Sequence, residues 1–273
     1  MSAESIFRTD GGRYVPTEQA RGPWDPRALH GGAPAALIAT AFERHELVAG
    51  AQIARLGYEF LRPIPMAPLS VEVRTVRPGR RVQELAAELY ADVDDGRELV
   101  CRASALRLQA IGDGVPEPVA GALASESMPG PEDGRPVRFS LDGHADSEPG
   151  AASFAASAME MRWLGEPWRL GPGRVWMRLR HPLVDDEQPS PLARLAASAD
   201  FGNGISASLP FEGFLFINAD LQVHLHRPPR GEWVGLDART LLHPGGTGLA
   251  ESVLHDVEGP IGRAFQALVV QTR

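Results

Sequence analysis

The chain runs through one set of signals twice, and this repetition restricts the folds open to it more than any other feature. Each half holds one helix-like stretch of small and apolar residues, 35–46 (AALIATAFERHE) in the first and 190–200 (SPLARLAASAD) in the second. In each half a strand-like segment ends at an arginine–proline corner, Arg62-Pro63-Ile64-Pro65 or Arg227-Pro228-Pro229. A single helix with several strands, repeated, describes two copies of a helix-on-sheet unit. On pattern alone, chance recurrence of a common dipeptide explains the corners as well as an old duplication does, and both readings stand.

Local signals fill in each unit. In the first, Pro34 falls near the first turn of the expected helix. Strand-like runs follow at 54–61, 69–76, 82–91 and 98–108, with Leu69, Val71 and Val73 on one face. Asp94-Asp95-Gly96 is a hairpin signal between the last two. In the second unit, strands are expected at 158–164, 173–180, 214–225, 232–240, 247–255 and 261–270. Ser190 is placed to cap its helix, with Pro191 at the first helical position. Between the units, residues 110–150 are rich in Gly, Pro, Ser and acid and bury too little apolar surface to offset their ordering entropy. The expected division is 1–110, a connector at 111–155, and 156–273.

Composition removes several functions. The chain has 273 residues with a formal net charge of −8, so a basic surface for nucleic acid or an anionic membrane is not expected. Every one of the 27 basic residues is arginine, which excludes lysine Schiff-base and P-loop chemistry. The single cysteine, Cys101, rules out a disulfide framework or a cysteine metal cage, and in an alternating strand it reads as a core residue. No apolar run reaches bilayer-spanning length and the start lacks a signal-peptide layout, so the cytoplasm is the expected location. No G-x-S-x-G, G-x-G-x-x-G or H-E-x-x-H pattern occurs. His224 and His226 share a strand face, but no third ligand stands near them in sequence, so no metal and no cofactor is expected. The five tryptophans are dispersed and suit core or pocket lining.

Two segments carry the chemistry that remains. Asp200, in DFGNG, ends an apolar helix, where an acid meets the unfavourable end of the helix dipole. It is either a solvated residue beside a glycine stop or a half-buried carboxylate that positions a water. His30-Gly31-Gly32 stands at the other helix start. It is either a plain turn or a place where a ligand approaches exposed backbone N–H groups able to hold an oxyanion.

The segments LHGGAPAALIATAFE, FLRPIPMAPLSVEVRTVRPGRRVQELAAELY, PLARLAASADFGNGIS, NADLQVHLHRPPRGEWVGLDART and GPIGRAFQALVV, in this order and spacing, resemble the TesB-like acyl-CoA thioesterases. The resemblance covers most of the chain apart from its ends and residues 110–150. It implies an α+β double hotdog, two tandem antiparallel sheets each wrapping a central helix, with the acyl-thioester site between the halves. It also implies an Asp, a Ser/Thr-type residue and a Gln that hold the attacking water. These fall on Asp200, on Asn218 and, with a one-residue gap after the preceding turn, on Gln266. Asn218 departs from the pattern, an amide in place of a hydroxyl, though an amide also donates and accepts.

The leading expectation is therefore hydrolysis of acyl-CoA or another acyl thioester through a water oriented by Asp200, with Asn218 and Gln266 fixing that water and His30, Gly31 and Gly32 at the oxyanion or substrate. A hotdog enoyl-thioester hydratase or dehydratase is the enzyme alternative. It ranks lower because it calls for an Asp/His pair at short helical spacing, and the helix of Asp200 has no histidine. A catalytically weak acyl-CoA-binding protein is the third reading. Free sheet edges lead to the expectation of a homo-oligomer. For the phosphates of coenzyme A the sequence offers only scattered arginines, among them Arg62, Arg80, Arg81 and Arg227.

Overall fold

Alanine sets how the two helices meet. In the computed structural model, which describes residues 4–94, 96–109, 127–139 and 152–273, the first helix is α1 (Gly32–Arg44) and its counterpart is α2 (Pro191–Ala199). Ala33, Ala35, Ala36 and Ala39 of α1 and Ala193, Ala196 and Ala197 of α2 are buried, and the two helices pack against each other. The helices approach closely at Gly32, where a Cβ would strike the carbonyl oxygen of Ala197 and come within 2.9 Å of the Phe154 ring.

α1 begins at Gly32, three residues ahead of the expected start, with Pro34 inside its first turn, where a missing N–H leaves no helical bond unmade. Its far end is capped by a side chain that sequence periodicity does not reveal. Buried Arg107 donates to the carbonyl oxygens of Phe42 (2.8 Å), His45 (2.8 Å) and Glu46 (3.0 Å), groups that a helix end leaves unpaired. Ser190 caps α2 as expected, its hydroxyl accepting from the Ala193 N–H at 3.0 Å.

The strands are β1 (Phe7–Asp10), β2 (Arg13–Pro16), β3 (Ala51–Phe60), β4 (Leu69–Arg77), β5 (Val82–Val93), β6 (Gly96–Gln109), β7 (Arg135–Val137), β8 (Met159–Trp163), β9 (Gly173–Leu179), β10 (Phe214–Asn218), β11 (Asp220–Leu225), β12 (Val234–His243), β13 (Thr247–Asp256) and β14 (Gly259–Thr272). They form one antiparallel sheet in the order β1-β2-β4-β5-β6-β3-β11-β14-β13-β12-β9-β8-β7, with β10 on β14. The first half of this order packs on α1 and the second on α2 and the short α3 (Gly202–Ile205). The halves join where β3 pairs with β11, Gln222 opposite Gly57. This is the expected α+β architecture of two antiparallel sheets, each around a helix, here joined edge to edge into one through β3 and β11.

One expectation needs revising. Residues 214–225 are not one strand. Asn218 pairs with Leu268 and Gln222 with Phe265, four steps on one side against three on the other, so one extra residue bulges out. The Asp220 carboxylate accepts the Ala267 N–H at 2.6 Å, and Ala219 donates to the Ala267 carbonyl at 3.0 Å, which keeps the interrupted ladder satisfied. Much of the connector expected at 111–155 lies outside the described residues. Its described parts include β7, paired with β8, and Phe154, whose N–H bonds Arg21.

Because the Gly32 approach is backbone against backbone, Gly32→Ala is expected to lower stability by about 1–3 kcal/mol, the usual cost of overpacking. Urea unfolding checks it: a midpoint equal to that of the wild type contradicts so close a contact.

Candidate active site

A cavity of about 530 Å³ opens between the two units. Trp24, Leu29, Phe60 and Ile64 line it from the first unit, and Leu215, Ile217 and Val269 from the second. Its polar edge is formed by His30, Gly31, Asp200, Asn203 and Asn218.

Asp200 follows the last turn of α2, and its side chain is only 4% exposed. The wrong-end problem posed by the sequence is answered by the other helix. Oδ2 lies so close to the N-cap of α1 that a Cβ on Gly31 would sit 2.7 Å from it. The carboxylate therefore occupies the positive end of the α1 dipole. Oδ1 accepts from Asn218 Nδ2 at 2.9 Å. The β-bulge after Asn218 redirects the strand at this point, and the same Nδ2 also donates to the Asp220 carbonyl at 3.1 Å.

Gln266 lies against the turn that carries Asp200. It is buried on β14 and is absent from the cavity lining. Its Oε1 accepts the Asn203 N–H at 2.9 Å and its Nε2 donates to the Asp200 carbonyl at 3.1 Å, leaving a contact of 3.5 Å to Asp200 Oδ1. Both ends of the amide thus clamp the turn that carries Asp200.

His30 Nδ1 is 3.1 Å from Asp200 Oδ2 and 3.0 Å from the Gly32 nitrogen. Its ring stacks on Phe201 at 4.2 Å between centroids and packs beside Phe154 at 5.1 Å. An Asp/His pair therefore exists, made across the two units and not along one helix. Sequence spacing misses it, because 170 residues separate the partners. Asn203, which sequence reasoning gave no role, also lines the cavity, as does Trp24, one of the tryptophans suited to core or pocket lining. Asn203 lies in the DFGNG segment that marked Asp200, and Trp24 packs with Phe211 and Phe216, each at 5.5 Å.

Other residues fall elsewhere. His224 and His226 are exposed, away from this cavity, and among the described residues no group of three or more His, Cys, Asp or Glu is placed to hold a metal. Cys101 is buried, and burial pushes its thiol up to about 12, far from a nucleophile. Of the scattered arginines, Arg62 lines the cavity and pairs with Glu98, while Arg227 is locked to Asp256 by two bonds of 2.6 Å. Among the described residues no helix is long and apolar enough to cross a membrane.

The opposite end of the helix pair repeats this layout without its chemistry. Glu43, near the end of α1, accepts a 2.5 Å bond from the Ser190 hydroxyl, the N-cap of α2, beside a separate cavity of about 450 Å³. There Pro191 stands where α1 has Gly32, so no N–H is offered at that position. Burial raises the Glu43 carboxyl above the ordinary range, and the Ser190 bond and Arg44 offset only part of this. A raised value means that the folded state loses stability as pH rises and Glu43 ionises. Glu43→Gln is thus expected to raise the melting temperature at pH 7, with the gain fading toward pH 4, and to leave thioester turnover unchanged. A lower melting temperature at pH 7 contradicts it.

Known proteins show the same organisation. Residues 20–108 match the acyl-CoA thioesterase N-terminal domain and residues 131–270 the acyl-CoA thioesterase C-terminal domain. No curated protein matches the chain. Similar solved structures include a candidate thioesterase from Novosphingobium aromaticivorans (22% identity, 98% of this chain and 99% of that one, TM-score 0.71) and a hot dog fold protein of unknown function from Alicyclobacillus acidocaldarius (18%, 98% and 95%, 0.67). Another is the acyl-CoA thioesterase II TesB2 from Mycobacterium marinum (17%, 100% and 95%, 0.60). At these identities the structures establish a shared hotdog fold, and the two domain matches, which together span most of the sequence, establish the family. The chain is a double-hotdog thioester hydrolase and belongs to the acyl-CoA thioesterase family.

Proposed function

We propose that this protein hydrolyses acyl-CoA thioesters with a water oriented by Asp200. The observation that carries the reading is the carboxylate itself, nearly buried, held at Oδ1 by Asn218 and set on the wall of an apolar cavity. Hydrolysis of a thioester needs an aligned water, a group to take its proton and donors for the oxyanion. A carboxylate has about four lone-pair sites, so two remain beside those facing Asn218 and His30, enough for a water. Asn218 fixes the carboxylate. Gln266 acts one step back, by fixing the turn. The backbone N–H groups at Gly31 and Gly32 are the proposed oxyanion donors, at the positive end of α1. The acyl chain takes the slot between Trp24, Phe60, Ile64 and Leu215.

Asp200→Asn keeps the size of the side chain and removes the base. It is expected to lower kcat by roughly 10²–10⁴-fold, the usual range for a general acid or base. Free-thiol release from a panel of acyl-CoA substrates measures this, and wild-type turnover in the variant ends the proposal. The Asp200–His30 contact favours a second reading, enoyl-thioester hydration, because it supplies the acid/base pair that such chemistry uses. Enoyl-CoA absorbance separates the two: loss of the conjugated band without thiol release supports hydration, and thiol release alone removes it.

We also propose the division into units 1–110 and 156–273, with β7 as the return of the connecting segment onto the second sheet. The sheet ends in β1 and β7, and we propose that copies associate. Light scattering at twice 29.4 kDa or more supports association, and a clean single-chain mass removes it.

A further inference from the structure

The Nδ1 atom of His30 faces two groups that make opposite demands on it. The Gly32 N–H, 3.0 Å away, needs a lone pair on Nδ1. A charged Asp200 Oδ2, 3.1 Å away, needs a proton there. One ring nitrogen supplies one or the other, never both. The two bonds are therefore alternatives. With Nδ1 bare, the Gly32 amide is occupied and the lone pair confronts Oδ2 unless that oxygen carries a proton. With Nδ1 protonated, His30 donates to Asp200 and the Gly32 amide is released. That amide lies in the first turn of α1, where no helical carbonyl exists to accept it. Stacking on Phe201 and contact with Phe154 hold the ring in place, so a change of proton position exchanges partners with little movement.

We propose that His30 is a positioning residue whose Nδ1 proton both holds Asp200 as a charged water acceptor and frees the Gly32 amide for the carbonyl oxygen of the thioester. This rests on the hydrolytic reading above and deepens it. When Asp200 takes the proton of the attacking water, the demand reverses. Protonated Asp200 no longer requires a donor, and the proton it has gained is the one the departing thiolate needs. Its delivery restores the charged Asp200–His30 contact for the next cycle. Atoms balance: water adds across the C–S bond, its oxygen to the acyl carbon and one proton to sulfur, and His30 keeps its own proton throughout.

The test uses the full-length protein and two substitutions at one position. His30→Phe keeps an aromatic ring against Phe201 and loses Nδ1. His30→Asn can place its amide Nδ2–H close to the position of Nδ1, where it donates to a charged Asp200, and in that orientation the atom at this position has no lone pair for Gly32. His30→Phe leaves the Gly32 amide free but removes the donor to Asp200, so it is expected to lower kcat about 10²-fold, the low end of the loss when a general base is impaired, and His30→Asn is expected to recover most of it. Wild-type kcat in His30→Phe, or equal loss in both variants with the fold intact by circular dichroism, overturns the proposal. Nitrogen-15 NMR of the wild-type imidazole is independent of any folding defect. A proton on Nδ1 is expected in the resting enzyme and its loss in Asp200→Asn. A resting ring protonated at Nε2 alone overturns the proposal. The outcomes are separable, since an active Asp200→Asn removes the hydrolytic reading itself, whereas an inactive Asp200→Asn beside an active His30→Phe removes only the role of His30.

Discussion

The meeting of the α1 N-terminus with the end of α2 is the contact on which the rest of the structure depends. The α1 backbone approaches there with no side chain of its own in the way, Gly32 against the Ala197 carbonyl and Gly31 against the Asp200 carboxylate. Closeness of this kind puts a helix dipole on a carboxylate of the other unit, an arrangement that neither unit makes alone. It also fixes the distance between the halves, and with it the width of the cavity that Trp24 and Phe60 share with Leu215 and Ile217. The pairing of β3 with β11 carries the same junction through the sheet, so helices and strands set one geometry together.

Near-symmetry explains why the chemistry is concentrated at one end. Each helix ends beside the N-cap of the other, and each junction holds an acid, Asp200 in one and Glu43 in the other. The ends diverge through small changes. Pro191 removes an N–H where Gly32 supplies one, and Ser190 binds Glu43 where Gly31 only makes room for Asp200. A bulge brings Asn218 to Asp200, and Gln266 clamps the turn. These differences are polar and local, while the alanine packing that joins the helices is common to both ends.

Much of the frame was legible in the chain because it depends on local rules. Alternation in 69–76 and 98–108, the Ser190-Pro191 helix start and the Asp94-Asp95-Gly96 hairpin depend on neighbours a few residues away, and they led to elements with shifted boundaries. The segment 214–225 reads as a single strand in sequence because a bulge depends on the partner strand, which advances three residues against four. Arg107 was unremarkable for a similar reason. An arginine in an alternating strand reads as a solvated face until a helix end arrives above it with unpaired carbonyls.

The sequence by itself determined the pattern of two helix-on-sheet units, the absence of lysine-, cysteine- and motif-based chemistry, and a candidate acid in Asp200, since an aspartate at the unfavourable end of an apolar helix calls either for solvent or for a compensating partner. Tertiary structure alone decided what that partner is. His30 and the α1 N-terminus reach Asp200 across 170 residues of chain, and Gln266 holds the backbone of the Asp200 turn with its amide 3.5 Å from the carboxylate. Local propensity acts over a few residues, whereas a catalytic arrangement is set by which surfaces are buried against each other, and that burial is fixed only when the two units close on one another.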